Sequence, residues 1–231
     1  MLVRFDKVRC RRALSRESPS MVDIDSFRQS CGGVTFVAGP VGSGKNLFLR
    51  LAGLLEQPDE GAVYFAGEPV HGMTDEERAN TRAHHCGYVF HEPFLLPGLT
   101  VAENVAMPLL KTGMMEAEAA AERTVASLAI VGIQGSSKRE VTDLTETEQL
   151  RVALARAIAL HPKLLMVETP DDLLSGPDLS DFLRAIRSAS LETGITAMVS
   201  LDDDRFASLS NRTVILEAGR IIRDESARIA E

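Results

Sequence analysis

GGVTFVAGPVGSGKNLFLRLAG, residues 32 to 53, is the stretch that decides how the rest of the chain is read. A β-branched and aromatic run, Val34 to Val37, leads into Gly39-Pro40-Val41-Gly42-Ser43-Gly44-Lys45-Asn46, and an apolar stretch with helical spacing follows. Strand, glycine-rich turn and helix in that order make the context of a P-loop. The glycines let successive backbone N–H groups turn inward around a phosphate, and the helix N-terminus adds partial positive charge. Lys45 adds a mobile full charge, so Gly39 to Asn46 form the candidate cradle for a di- or triphosphate. One position departs from the pattern. A P-loop carries Ser or Thr after the lysine, because that hydroxyl ligates the Mg²⁺ bridging the terminal phosphates. Asn46 offers an amide oxygen, which is longer and points differently.

Working outward, 231 residues suffice for one domain with subdomains and a good-sized core. The chain is 45% hydrophobic and 25% charged, an ordinary balance that speaks against disorder. A net charge of −8 argues against nucleic acid as a partner, since non-specific binding needs a basic surface that releases counterions. Cys10, Cys31 and Cys86 are odd in number, at unrelated spacings, with no secretory leader ahead of them; reduced cytosolic thiols are expected. No apolar run reaches the roughly 18 residues that span a bilayer, so membrane association is expected to go through another polypeptide. His84, His85, Cys86 and His91 lie close together but fit no recognised metal-ligand spacing.

Ahead of the P-loop, Leu2 to Val8 and Met21 to Phe27 alternate apolar and polar, which predicts an antiparallel β-layer. After it come a strand over Gly61 to Ala66, a helix opened by a Thr74-to-Glu77 capping pattern, and a strand over Tyr88 to Phe90. A greasy loop, Pro93-Phe94-Leu95-Leu96-Pro97, precedes a helix start at Thr100 to Glu103, and the Ala/Glu-rich pattern predicts helix from Lys111 to about Ile130. A helix over Glu146 to Leu160 leads to a strand from Leu164 to Val167 closing in Glu168. A helix over Leu179 to Glu192, a strand over Thr196 to Val199 and a hairpin around Ala218-Gly219 complete the chain. Alternating strands and helices imply an α/β fold with a mostly parallel sheet covered on both faces. Phe94, Leu95 and Leu96 fit either packing under a lid or a docking surface for another protein.

In this order the P-loop, FLLPGLTVAENV, LTETEQLRVALARAIALHPKLL and the terminal hairpin resemble the nucleotide-binding subunit of an ABC transporter over essentially the whole chain. MTDEERANTRAHHCGYVFHEPFLLPGLTVAENVAMPLL is most similar to the lipoprotein-release and macrolide-exporter branch. The resemblance implies a P-loop NTPase of ABC type in one domain, residues 1–231. It implies a β-layer and P-loop core over about 1–90 and 151–231, and a helical subdomain over about 91–150. ATP and Mg²⁺ are the implied cofactors, with a second nucleotide-binding subunit and an integral membrane permease as partners. The implied location is cytoplasmic, on the inner face of the cytoplasmic membrane. Phe94, Leu95 and Leu96 fall where the family receives a permease helix.

The positions that do chemistry in the family are altered here. The adenine-stacking aromatic falls near Arg11 or Arg12, so a stacked ring worth about 1–3 kcal/mol is lost, partly recoverable if Arg12 lies over the base. The glutamine that senses Mg²⁺ and water aligns with His91, the Mg²⁺-associated aspartate with Glu168, the general base with Thr169 and the γ-phosphate histidine with Leu201. Pro170 fixes that register, and a further loop aspartate aligns with Ser175. The signature that would hold a partner's γ-phosphate becomes Leu144-Thr145-Glu146-Thr147-Glu148, without glycines. Any Mg²⁺ site built from Asn46, His91 and Glu168 is expected to be weak or absent.

A missing general base costs about 10²–10⁴ in rate and a lost charge-stabilising donor about 10²–10³, in terms that do not simply multiply. The leading expectation is therefore a pseudoenzyme subunit that binds nucleotide without turning it over. Two alternatives stay open: an ATPase using Glu168 as base with Asp202 or Asp203 substituting at the phosphate, and a scaffold independent of nucleotide. The runs Asp202 to Asp204 and Asp171-Asp172 otherwise fit solvated loop faces.

Overall fold

The computed structural model describes residues 1–12, 20–111, 113, 115–169, 174 and 176–226. Among the described residues, ten strands form two sheets. In chain order they are β1 (Val3–Arg12), β2 (Ser20–Gln29), β3 (Val34–Ala38), β4 (Glu60–Phe65), β5 (Glu68–Pro69), β6 (Cys86–Val89), β7 (Leu164–Glu168), β8 (Thr196–Leu201), β9 (Arg212–Glu217) and β10 (Arg220–Ser226). The first sheet is antiparallel, ordered β2-β1-β4-β5; the second is ordered β10-β9-β3-β8-β7-β6 and is parallel except for β10. Six α-helices are described: α1 (Lys45–Ala52), α2 (Asp75–His85), α3 (Val101–Lys111), α4 (Ala117–Ile130), α5 (Glu146–Ile158) and α6 (Gly176–Thr193).

The pleat of β3 divides the interior in two. Val34, Phe36 and Ala38 face a core shared with α3, α4, α5 and α6, whereas Val37 faces the core around α1 and the antiparallel sheet. Short as it is, α1 lies between the two sheets, and Leu47, Phe48, Leu49, Leu51 and Ala52 are all buried. Phe48 meets Phe5 at 5.0 Å and Phe27 at 4.8 Å between ring centroids, so the helix behind the P-loop is fixed by rings from β1 and β2. An eight-residue helix is too short to be stable alone, and this aromatic packing is what holds it. Phe48→Ala is expected to cost about 3–5 kcal/mol in urea unfolding. A cost below about 1 kcal/mol would show that the three-ring contact does not anchor the helix.

The expected capping box at Thr74 is present: Thr74 Oγ1 accepts from the Glu77 amide, and Glu77 Oε2 accepts from the Thr74 amide. Three boundaries differ from the sequence pattern. The helix expected from Lys111 to Ile130 begins only at Ala117, after α3, the helix expected to start near Thr100, has ended at Lys111. Gly113, at φ +64°, turns the chain out of the first helix, a conformation that a side chain disfavours. The strand expected at Tyr88–Phe90 is Cys86–Val89, set by pairing of Cys86 with Leu164 and Val89 with Val167. The alternation expected to end at Val8 and resume at Met21 extends to Arg12 and begins again at Ser20. The polar residues there pair across the ladder, with Arg9 opposite Asp23 and bonded to it. Among the described residues no group of three His, Cys, Asp or Glu could hold a metal, and no helix is long and apolar enough to cross a membrane.

Candidate phosphate-binding site

The P-loop connects the C-terminal end of β3 to α1, and neighbouring backbone fixes its shape. A Cβ on Gly44, at φ +94°, would lie 2.1 Å from the Met21 carbonyl oxygen, and one on Gly39 would lie 2.2 Å from that of Leu216. The β9–β10 turn closes the loop from behind: the Gly219 amide donates to Ser43 O at 2.9 Å, and its carbonyl accepts from the Asp23 amide at 2.8 Å.

What remains on the open side is a set of donors. The amides of Gly42, Gly44, Lys45 and Asn46 have no acceptor among the described residues. Gly44 provides no side-chain cap, and the first turn of α1 contains no acidic residue. Uncapped amides at a helix N-terminus make an anion site. Lys45 Nζ donates to Gly39 O at 3.0 Å and lies 2.7 Å from Asp202 Oδ1. Ser43 Oγ and Asn46 Oδ1 in the P-loop, and Thr169 Oγ1 after β7, are buried with no partner among the described residues, and orphaned buried polar atoms favour a ligand that completes them.

The site residues aligned by resemblance are arranged as follows. Glu168 closes β7, is 5% exposed, and is held in a bidentate ion pair by Arg50 of α1, at 2.6 Å (Nε–Oε1) and 3.0 Å (Nη2–Oε2). The carboxylate raises the Arg50 pKa, mainly through these hydrogen bonds. The Thr169 amide donates to Ser200 Oγ at 3.3 Å. The Leu201 side chain is buried in the helical core, while its carbonyl accepts from the Gly39 amide at 3.1 Å. His91 is exposed on the loop after β6. Pro170, Asp171, Asp172 and Ser175 lie outside the described residues.

These donors do not fit a divalent ion. Both Glu168 oxygens are engaged by a guanidinium, so the one carboxylate among the three aligned positions is already neutralised. A hard cation needs several oxygens in a fixed polyhedron.

Arg12, at the adenine position, is spoken for in its own plane: Nε donates to Glu56 at 2.9 Å, Nη1 to Asp59 at 2.7 Å, and Nη2 to Gln57 O at 2.7 Å. Only its face is left for a base. Leu144 to Glu148 make the N-terminus of α5, with Thr145 as N-cap. The Thr145 amide donates to Glu148 Oε2 at 2.9 Å, Thr145 Oγ1 accepts from the Glu148 amide at 3.3 Å, and Arg139 pairs with Glu148 at 2.8 Å. The bond from the Thr145 amide, more than Arg139, holds the Glu148 carboxyl below its ordinary pKa. A carboxylate in the first turn takes up part of the positive end that would otherwise face an anion. Glu146 and Thr147 follow in the first turn.

On the greasy loop, Phe94 is 60% exposed and Leu96 42%, whereas Leu95 packs against the helical core. Arg156 of α5 donates to Pro93 O and Phe94 O, both at 2.7 Å, and buried Asn104 of α3 bonds the Leu96 amide at 2.7 Å and carbonyl at 3.1 Å. The loop is thus held rigidly with two apolar side chains turned outward.

Sequence reasoning did not single out Arg50, Arg156 or Asn104. Each had a weak signal: a charge or amide standing on an otherwise apolar helix face.

The family model described as ABC transporter matches residues 22–171. The lipoprotein-releasing system ATP-binding protein LolD of Geobacter metallireducens is 35% identical over 188 residues, covering 81% of this chain and 83% of that protein. LolD of Cereibacter sphaeroides is 34% identical over 214 residues, covering 91% and 95%. The solved dimer of the ATP-binding cassette MJ0796 in a post-hydrolysis state bound to ADP and Pi superposes with a TM-score of 0.85 at 27% identity, over 98% of this chain and 99% of that one. Clostridium perfringens cbiO1, from the transporter complex cbiONQ, shares the fold with a TM-score of 0.85 at 19% identity, over 97% and 88%. Motif order, two-sheet topology and these matches agree: the chain belongs to the ABC transporter family and has the fold of its ATP-binding cassettes.

Proposed function

We propose that the chain is a nucleotide-binding subunit of an ABC transporter complex that binds ATP or ADP through its P-loop, does not hydrolyse it, and serves a structural or regulatory role on a membrane permease. The observation that carries this reading is a contrast within one site. The cradle amides of Gly42, Gly44, Lys45 and Asn46 are open, while the Glu168 carboxylate is neutralised by Arg50 and position 169 offers only a threonine hydroxyl. A base must reach the water it activates with a lone pair to spare, and Glu168 as a substitute base would first have to leave Arg50. The test is calorimetric titration of the purified chain together with a phosphate-release assay. Nucleotide binding that Lys45→Ala weakens at least ~10-fold, with no turnover, is expected. Turnover that disappears in Glu168→Gln would instead establish the substitute-residue ATPase, and assembly with the permease indifferent to both nucleotide and Lys45→Ala would establish the scaffold.

By likeness to the LolD proteins, the complex served is one that releases lipoproteins. The permease contact is assigned to Phe94 and Leu96, which Arg156 and Asn104 hold outward, with Leu95 as the buried root of the loop. Leu96→Asp should release the chain from membranes containing its permease while leaving its melting temperature within a few degrees, because the side chain is already partly in water. Membrane association unchanged in that variant would place the docking surface elsewhere.

A further inference from the structure

The cation that a P-loop offers to a terminal phosphate is already engaged here by a carboxylate. Lys45 Nζ sits between Gly39 O at 3.0 Å, Pro40 O at 3.4 Å and Asp202 Oδ1 at 2.7 Å. The lysine side chain is largely buried, 12% exposed, so it has few directions in which to find a new partner.

Asp202 does not arrive there on a swinging arm. It directly follows Leu201, whose side chain is locked in the core and whose carbonyl accepts from the Gly39 amide at 3.1 Å. The end of β8 is therefore stitched to the first glycine of the P-loop, and Asp202 is delivered to the mouth of the cradle by backbone. Asp203 and Asp204 turn to other partners, Arg205 and Arg223.

A phosphate that reaches Lys45 must either displace the Asp202 carboxylate or accept it as a neighbour. Each added phosphate charge makes that worse, and the usual remedy, a divalent ion between the last two phosphates, has no fitting ligands here, since Arg50 holds both oxygens of Glu168. The amides of Gly42, Gly44, Lys45 and Asn46 make no backbone hydrogen bond among the described residues and offer donors for phosphates nearer the ribose.

We propose that this P-loop takes a nucleoside diphosphate in preference to the triphosphate, and takes it without a divalent cation, because the Asp202 carboxylate occupies the approach to Lys45 that a third phosphate needs. The proposal rests on the reading above that the P-loop binds nucleotide at all.

The test uses the full chain and fluorescent ADP and ATP analogues, each titrated in excess Mg²⁺ and in EDTA. In the unmodified chain ADP is expected to bind at least ~10-fold more tightly than ATP, with EDTA changing the ADP affinity by less than about twofold. Asp202→Asn keeps the size of the side chain and removes the charge; it should tighten ATP by ~10-fold or more and ADP by much less, so that the preference collapses. Asp203→Asn should leave the preference intact, and an equal effect from that variant would overturn the role given to Asp202. Tighter binding of Mg·ATP than of ADP in the unmodified chain, or a preference unmoved by Asp202→Asn, would overturn the proposal and leave nucleotide binding standing. Binding of neither nucleotide by chain that melts cooperatively would overturn both.

Discussion

Arg50→Ala is expected to destabilise the chain by about 3–5 kcal/mol, at the level of a large core truncation. The guanidinium is the bidentate partner of a carboxylate that is 5% exposed, at the inner end of β7. Removing it leaves a buried, uncompensated anion, which must be hydrated through a newly opened gap. Removing both charges is a different experiment. Arg50→Met with Glu168→Leu fills similar volume with apolar groups, and replacing a buried pair in this way is often neutral or stabilising. The double variant is therefore expected to lie within about 1 kcal/mol of the starting chain or above it, giving a large coupling energy in a double-mutant cycle. Urea unfolding with equal m-values measures all four corners. An Arg50→Ala cost under about 1 kcal/mol would show that Glu168 is solvated, and would reopen it as a metal ligand or base.

That pair also marks where the sequence stops being legible. The strand-turn-helix at Gly32 to Gly53, the capping residues Thr74 and Glu77, and the apolar run closing in Glu168 are local patterns, and all are found in place. The pairing of Arg50 with Glu168 spans 118 residues and that of Lys45 with Asp202 spans more, so no local period announces either. Arg50 did leave a trace, as a charge set among the buried apolar residues Leu47, Phe48, Leu49, Leu51 and Ala52 of α1. Thr145 and Glu148 repeat the Thr-x-x-Glu spacing of the Thr74 cap, so their capping box was readable from sequence as well. The break between α3 and α4 hid behind Ala/Glu-rich composition, and its one cue was Gly113. Arg12 illustrates the opposite limit: sequence could place it near a base, but only the structure places Glu56 and Asp59 in its plane.

The second large effect concerns a mixed dimer of this chain with an intact cassette. Dimeric cassettes of the family share their sites, each subunit giving its P-loop to one and its signature helix to the other, as the resemblance implies. Two copies of this chain would then pair an unserved P-loop with an α5 N-terminus closed by Glu148 and Arg139, twice over. With an intact partner, one site unites that partner's P-loop and base with the Thr145–Glu148 end of this chain, and any turnover belongs there. Replacing the partner's base glutamate by Gln should abolish phosphate release from the mixed assembly, a fall of about 10²–10⁴. Thr169→Ala in this chain should leave the rate within about twofold, since its hydroxyl has no proton-accepting role under the proposed reading. Single-turnover phosphate release from assemblies of defined composition separates the two sites. Activity that survives loss of the partner's base would locate chemistry at this chain's own P-loop, with Glu168 or Asp202 as the group responsible.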